Sequence, residues 1–180
     1  ICFFFFFLFH KAMKNVATVR KNLGIKTFFN ILGPMVNPSF PNNQIVGVFS
    51  LELARLYGYL YQLSDKKYTI IHALDGYDEI SLTGPVKLIS NDSERICSTE
   101  DLGFQTYIPE DLYGGKSVAD SAKIFMNILE GEGTKAQNDV VLANSSMALQ
   151  VIFPEKAYND CLDLARKSLE GKQALKVFNT

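Results

Sequence analysis

Three short, nearly continuous apolar runs constrain the fold more than any other feature of this chain. They are Ile1–Phe9, Gln44–Phe49 and Tyr68–Ala73. A half-exposed strand alternates polar and apolar residues, whereas a strand buried on both faces does not, so these runs are predicted to be buried strands. Helical patterns separate them, and no linker or repeat interrupts the 180 residues. The sequence therefore predicts one α/β domain over residues 1–180, with a central, mostly parallel sheet flanked by helices.

The connecting segments carry their own helix and hairpin signals. Helices are expected over Val16–Leu23, from Leu51 to about Leu63, from the Ser117 cap to Leu129, over about Asn138–Val151, and from near Pro154 to Gly171. Ser50 and Ser117 are favourable N-cap residues for two of them. The expected inward positions are Leu53, Leu56, Tyr57 and Leu60 in one helix, and Val118, Ala122, Phe125 and Leu129 in another. Val86–Ile89 and Glu94–Cys97 flank a turn and predict a hairpin at the sheet edge.

The first run, Ile1–Phe9, also has to be weighed as a membrane segment. Crossing a bilayer takes about 20 apolar residues, and a secretory signal needs a basic segment ahead of its apolar stretch. This run has nine residues before His10 and lacks those flanks, so a buried strand with no membrane role is expected. The chain begins with Ile rather than Met, so we expect further residues upstream.

Composition narrows the classes of function. The net charge of −1 offers no basic surface rich enough for nucleic acid to be the main ligand. The three cysteines are widely separated and form no CxxC pair, which favours a reducing, cytoplasmic location over a disulfide framework or a zinc site. Motifs for a phosphate-binding glycine loop, a nucleophile elbow or a zinc protease are absent.

The loops after the strands are the places where such a sheet binds ligands. Asp78 and Glu79 are adjacent carboxylates in the loop Leu74–Gly84, and hard oxygen ligands of this kind suit Mg²⁺ together with substrate phosphates. A solvated acidic turn is the alternative interpretation. The basic cluster from His10 to Arg20 could bind a carboxylate or phosphate, or form an ordinary surface patch. His72 lies within an apolar strand and is expected in the core.

Four segments together resemble the anthranilate phosphoribosyltransferase family. They are HKAMKNVATVRKNLGIKTFFNILGPMVNP, QIVGVFS, HALDGYDEISLTGP and VVLANSSMAL, in the family's order and spacing. The resemblance implies a small helical domain and a large α/β domain, with this chain as the carboxyl-terminal part of the large one and the helical domain absent. It also implies transfer of a phosphoribosyl group from phosphoribosyl pyrophosphate (PRPP) to anthranilate in tryptophan biosynthesis, with release of pyrophosphate.

The same resemblance assigns residues. It implies that Asp78 and Glu79 hold Mg²⁺, that Arg20 contacts the anthranilate carboxylate, and that His10 and Pro34 border the substrate pocket. No protein nucleophile is implied, so no residue is assigned a catalytic role. The implied full-length enzyme is a cytoplasmic homodimer.

Departures from the family pattern keep two alternatives open. The family's glycine-rich PRPP loop and its Lys-His-Gly-Asn-Arg segment would lie upstream, so the isolated chain is expected to be inactive. Phe6, Phe7 and Lys11 replace residues that border the pocket in the family. The other interpretations are a related pyrimidine-nucleoside phosphorylase-like enzyme and a non-catalytic relative that binds nucleic acid or a partner. The truncated sheet of the isolated chain is expected to aggregate.

Overall fold

The computed structural model describes residue 22 and residues 33–180, and the chain divides into two compact units at residues 1–41 and 42–180. In the first unit, Gly33–Val36 forms a short 3-10 helix. A turn follows, in which the Asn37 side chain accepts a hydrogen bond from Ser39 N at 2.9 Å. The predicted strand Ile1–Phe9 and, apart from the helical Asn22, the predicted helix Val16–Leu23 lie outside the described residues.

The second unit contains a four-stranded sheet in the order β1-β2-β3-β4. Its strands are β1 Asn43–Gly47, β2 Lys67–Ala73, β3 Val86–Ser90 and β4 Glu94–Cys97. β1 runs parallel to β2, with Val46 opposite Ile70. β2, β3 and β4 are joined by antiparallel pairings, which confirms the predicted hairpin. The described sheet is therefore mixed.

Helices cover both faces of this sheet, which confirms the α/β class. The helices described in this unit are α1 Leu51–Gln62, α2 Val118–Glu130, α3 Lys135–Ile152, α4 Tyr158–Glu170 and α5 Gln173–Phe178. Of these, α1 and α3 pack against the strands. On one face, Tyr61 of α1 stacks on Tyr68 of β2 with ring centroids 5.0 Å apart. Because side chains alternate along a strand, Ile71 points to the other face, where it joins a core built with α3 and α4.

The predicted caps are confirmed. Ser50 accepts a hydrogen bond from Leu53 N at 3.2 Å, and Ser117 accepts one from Asp120 N at 3.2 Å. Each side chain satisfies a backbone N–H that has no partner within its helix.

Several helix boundaries and faces were predicted wrongly. α3 begins at Lys135 rather than Asn138 because Thr134 and Gln137 form a capping box ahead of it. α4 begins at Tyr158, four residues after Pro154, since Phe153 and Lys156 first close a turn. The short helix α5 was not predicted at all.

The inward faces of α1 and α2 differ from the prediction in part, since Leu129 of α2 packs against the core as predicted. Val118 of α2 is 87% exposed, and Phe125 meets Phe178 of α5 edge-on at 5.1 Å instead of entering the main core. In α1, Leu56 and Leu60 are 43% and 40% exposed. Leu53 and Tyr57 are buried as predicted, and the helix also buries Ala54, Gly58 and Tyr61 in place of Leu56 and Leu60.

None of the helices described in residues 33–180 has the length and apolar character that crossing a bilayer requires.

Candidate metal and substrate site

The loop over residues 74–85, here called the acidic loop, joins β2 to β3 at the carboxyl ends of the parallel pair β1–β2. Its neck is closed by a hydrogen bond from Leu74 N to the Pro85 carbonyl at 2.9 Å. Inside it, Ala73 N donates to the Tyr77 carbonyl at 3.0 Å, and Gly76 takes a φ of 107°, which a residue with a side chain rarely adopts. The loop therefore has a defined shape at the end of the sheet where such folds bind ligands.

Asp78 and Glu79 are exposed in this loop and line one cavity of about 310 Å³. The other lining residues are Ile45, Gly47, Ile71 and Asn144. Neither carboxylate forms an ion pair or accepts a hydrogen bond from any other described residue. Two adjacent negative charges thus face an open cavity with an apolar floor.

In two other adjacent acidic pairs of the chain, a carboxylate accepts hydrogen bonds within its own turn. In Glu100–Asp101, the Asp101 carboxylate accepts hydrogen bonds from the Ser98 backbone at 2.8 Å and the Ser98 hydroxyl at 3.0 Å. In the second pair, Asp111 accepts one from Ile108 N at 3.3 Å. Both pairs cap their own turns, whereas Asp78 and Glu79 do not cap a turn within the described part of the chain.

Gly47 allows the acidic loop to approach β1. A Cβ added to Gly47 would lie 1.8 Å from the carbonyl oxygen of Asp78 and 2.9 Å from its carbonyl carbon. Real Cβ atoms do not approach backbone atoms so closely, so the loop can occupy this place only over a glycine.

Asn144 of α3 holds the loop from the other side. Its Oδ1 accepts a hydrogen bond from Ile80 N at 3.0 Å, and its Nδ2 donates to the Ile80 carbonyl at 2.8 Å. Nδ2 also donates to the Val140 carbonyl at 2.9 Å, which ties the side chain to its own helix. The backbone directly after Glu79 is therefore fixed by a residue 64 positions later.

Residues 80–82, which follow the carboxylate pair in the loop, are held by burial and by a second link to α3 through Tyr107. Ile80 and Leu82 are each 1% exposed, and Leu82 has a φ of 59°. The Leu82 carbonyl accepts a hydrogen bond from Tyr107 N at 2.9 Å. The Tyr107 hydroxyl in turn donates to Asp139 of α3 at 2.5 Å.

Asp75 has a structural role within the same loop. The Thr83 hydroxyl donates to the Asp75 carboxylate and lies 2.7 Å from the Ser81 hydroxyl. This contact links the two ends of the loop, so we separate Asp75 from the exposed pair that faces the cavity.

The structure describes only some of the predicted site residues. It brings Asp78 and Glu79 to one cavity, while His10 and Arg20 lie outside the described residues. Pro34 belongs to the 3-10 helix Gly33–Val36. His72 is buried, at 6% exposure, with Nδ1 2.8 Å from the Val48 carbonyl, as expected for a core residue.

Two residues of the site were missed in the sequence, Gly47 and Asn144. The first had a signal, because a glycine inside a strand pattern often marks a close backbone approach. The second had none, since its partners become visible only once α3 packs against the loop.

The donor set of this cavity fits Mg²⁺. Mg²⁺ prefers oxygen ligands and in phosphate-handling sites usually takes one or two carboxylates plus substrate oxygens and water. In the described residues, no three His, Cys, Asp or Glu side chains cluster as a metal site. Asp78 and Glu79 supply two oxygen donors, and the open cavity leaves room for the rest.

Comparison with known sequences gives the family to which this α/β domain with its acidic loop belongs. The chain belongs to the glycosyl transferase family, since the profile of this family's a/b domain matches residues 1–175.

Individual relatives are more specific. A protein of Christiangramia forsetii, named anthranilate phosphoribosyltransferase, is 55% identical over 99% of this chain and 54% of its own length. A protein of the same name from Flavobacterium psychrophilum is 57% identical over 94% of this chain and 51% of its own length. The chain thus spans about half the length of the curated relatives it matches.

A solved structure shows the same fold over most of this chain. The anthranilate phosphoribosyltransferase of Saccharomyces cerevisiae, in complex with PRPP and Mg, has a TM-score of 0.82 and 25% identity, covering 93% of this chain and 48% of its own.

Proposed function

We propose that this chain supplies the metal-binding part of an anthranilate phosphoribosyltransferase. The reaction joins the amine nitrogen of anthranilate to the anomeric carbon of PRPP, breaks the bond from that carbon to pyrophosphate, and releases a proton from the amine. The observation that carries the proposal is the exposed pair Asp78–Glu79, which lines one cavity at the carboxyl end of β1–β2. The names of the relatives and the PRPP and Mg of the yeast structure support it.

The role of the pair follows from charge. Pyrophosphate gains negative charge as it leaves, and a bound Mg²⁺ stabilises that charge as a Lewis acid. Asp78 and Glu79 would hold the ion through their oxygens, and Asn144 and Gly47 would keep the loop that carries them in place. No side chain has to form a covalent intermediate, and positioning of the two substrates supplies much of the rate.

The anthranilate side of the site is proposed from family resemblance. Arg20 would bind the substrate carboxylate through two parallel hydrogen bonds, and His10 and Pro34 would border the aromatic ring. We further propose that residues 1–180 are the carboxyl-terminal part of the α/β domain, and that the whole enzyme is a cytoplasmic homodimer.

A fused enzyme tests the proposal. It joins these 180 residues to the portion of the Christiangramia forsetii relative that the match leaves uncovered, and its activity is followed with PRPP, anthranilate and Mg²⁺. We expect activity in the fused enzyme and none in the 180 residues alone.

The carboxylates are tested in the fused enzyme with Asp78→Asn and Glu79→Gln, against the control Glu110→Gln. Glu110 is also an exposed member of an adjacent acidic pair, on a different turn. We expect each site variant to weaken the binding of Mn²⁺ with pyrophosphate and to lower kcat, while the control leaves both unchanged. Phosphorolysis of a pyrimidine nucleoside without any transfer to anthranilate would instead support the phosphorylase-like alternative.

Arg20→Ala tests the anthranilate contact. The expected result is a higher KM for anthranilate with the KM for PRPP unchanged, because only one substrate loses a partner. An equal change in both KM values would contradict this assignment.

A further inference from the structure

Two residues outside the acidic loop fix the backbone on either side of Glu79. We propose that Gly47 and Asn144 are positioning residues for the metal-binding pair Asp78–Glu79. This inference rests on the proposed function, since it concerns the same cavity. The residues act on different peptide groups: Gly47 faces the one that joins Asp78 to Glu79, and Asn144 binds the backbone of Ile80.

Gly47 acts through the space that it leaves open. Its backbone does not have a positive φ, so an alanine could adopt the same conformation, and steric exclusion is the only demand for glycine here. The strand around it is held by pairing, with Gly47 opposite Ile71 and Val48 N donating to the Ile71 carbonyl at 2.9 Å. A methyl group at this position must therefore displace the loop rather than the strand.

Asn144 acts through paired hydrogen bonds. One amide both accepts from and donates to the same residue, Ile80, at 3.0 and 2.8 Å. An aspartate of the same shape keeps the acceptor and loses the donor, and an alanine loses both. The asparagine thus fixes both the position and the rotation of the peptide groups that follow Glu79.

Such control matters because of the geometry that Mg²⁺ demands. Its ligands lie at about 2.0–2.1 Å in a nearly regular octahedron, so a small displacement of a carboxylate is costly. Loss of residues that orient metal ligands typically lowers metal affinity or activity by about 10–100-fold.

The experiment uses the fused enzyme and two matched pairs of variants. Gly47→Ala is compared with Gly58→Ala in α1, where an added Cβ would meet only Ile89 Cγ2 at an ordinary 3.6 Å. Asn144→Ala is compared with Asn138→Ala, which removes a side-chain bond to the Gly133 carbonyl from the same helix. The first readout is Mn²⁺ affinity in the presence of pyrophosphate, followed by electron paramagnetic resonance.

We expect Gly47→Ala and Asn144→Ala to weaken Mn²⁺ affinity by at least about tenfold relative to their controls. The Mg²⁺ concentration for half-maximal activity should rise in parallel, and excess Mg²⁺ should restore much of kcat. The KM for anthranilate should stay unchanged. Asn144→Asp should fall between the wild type and Asn144→Ala.

Affinities within twofold of the controls would overturn the inference. Loss of folding in both Gly47→Ala and Asn144→Ala would also overturn it, because the two residues would then have only a structural role. If only Asn144→Ala fails to fold, the Mn²⁺ affinity of Gly47→Ala decides the question. The proposed function fails separately, if Asp78→Asn and Glu79→Gln themselves leave Mn²⁺ affinity unchanged.

Discussion

Leu82 offers a direct test of how the acidic loop is held, because two ordinary rules give opposite expectations there. Its side chain is 1% exposed in the core, while its φ of 59° lies in the left-handed region. Burial favours a large side chain, and the backbone favours glycine.

The magnitudes can be worked out for two substitutions. Leu82→Ala removes most of a buried side chain and should lower the free energy of unfolding by about 2–5 kcal/mol. Leu82→Gly removes the same contacts and also the left-handed penalty of about 1–2 kcal/mol that any Cβ carries. Glycine ordinarily costs about 0.5–1 kcal/mol relative to alanine through unfolded-state entropy. The free energy of unfolding of the glycine variant should therefore equal that of the alanine variant or exceed it by up to about 1.5 kcal/mol.

Ile80 is the matched control in the same loop. It is equally buried, at 1% exposure, and it is not among the residues with positive φ. Ile80→Gly should therefore be less stable than Ile80→Ala by the usual margin of about 0.5–1 kcal/mol or more.

The assay is urea unfolding of the four variants in the fused enzyme, followed by far-ultraviolet circular dichroism. At position 80 the glycine variant should be the less stable one, whereas at position 82 it should be at least as stable as the alanine variant. If glycine is the less stable residue at both positions by the same amount, the left-handed backbone at Leu82 is not what constrains this loop, and the reasoning fails.

Three further predictions concern the rest of the fold. Burial raises the pKa of Tyr61 to about 12. The stability that the protonated hydroxyl contributes is therefore complete below the unfolded pKa near 10 and is lost as the pH rises through 12. Tyr61→Phe should flatten the fall of the urea midpoint between about pH 10 and 12. Ser117→Ala should cost about 1 kcal/mol in urea unfolding, and it should raise the pKa of Asp120, which the Ser117 hydrogen bond holds low, in an NMR titration. Phe178→Ala removes the ring that meets Phe125, so hydrogen exchange should speed up in α2 and not in α3. An unchanged pH profile, an unshifted Asp120 titration or uniform exchange would contradict the respective prediction.

The sequence was most informative where short-range chemistry decides the structure. Strands β2 to β4 fall within one or two residues of their predicted ends. The apolar run of the buried strand β2 can be recognised directly, and the turn between β3 and β4 marks the hairpin. The caps at Ser50 and Ser117 were also recognisable, since each contact spans three residues.

The mispredicted face of α2 depends on a contact between distant parts of the chain. Phe125 of α2 packs against Phe178 of α5. This contact was not predicted, because α5 has six residues and is too short to give a periodic pattern. The start of α3 at Lys135 was a local failure: its Thr134–Gln137 capping box was visible in the sequence and was overlooked.

The acidic pair shows why a motif alone could not define the site. The chain contains three adjacent acidic pairs, and two of them use a carboxylate to cap their own turn, at Ser98 and at Ile108. What distinguishes Asp78–Glu79 is supplied from elsewhere: a glycine 31 residues earlier leaves room for the peptide between them, and an asparagine 64 residues after Ile80 binds the backbone that follows. Neither contact can form until β1, the loop and α3 have packed together. The cation site that we propose in this loop therefore depends on the folded domain, so filling the space above Gly47 or removing the Asn144 amide should weaken metal affinity although neither change alters the loop itself.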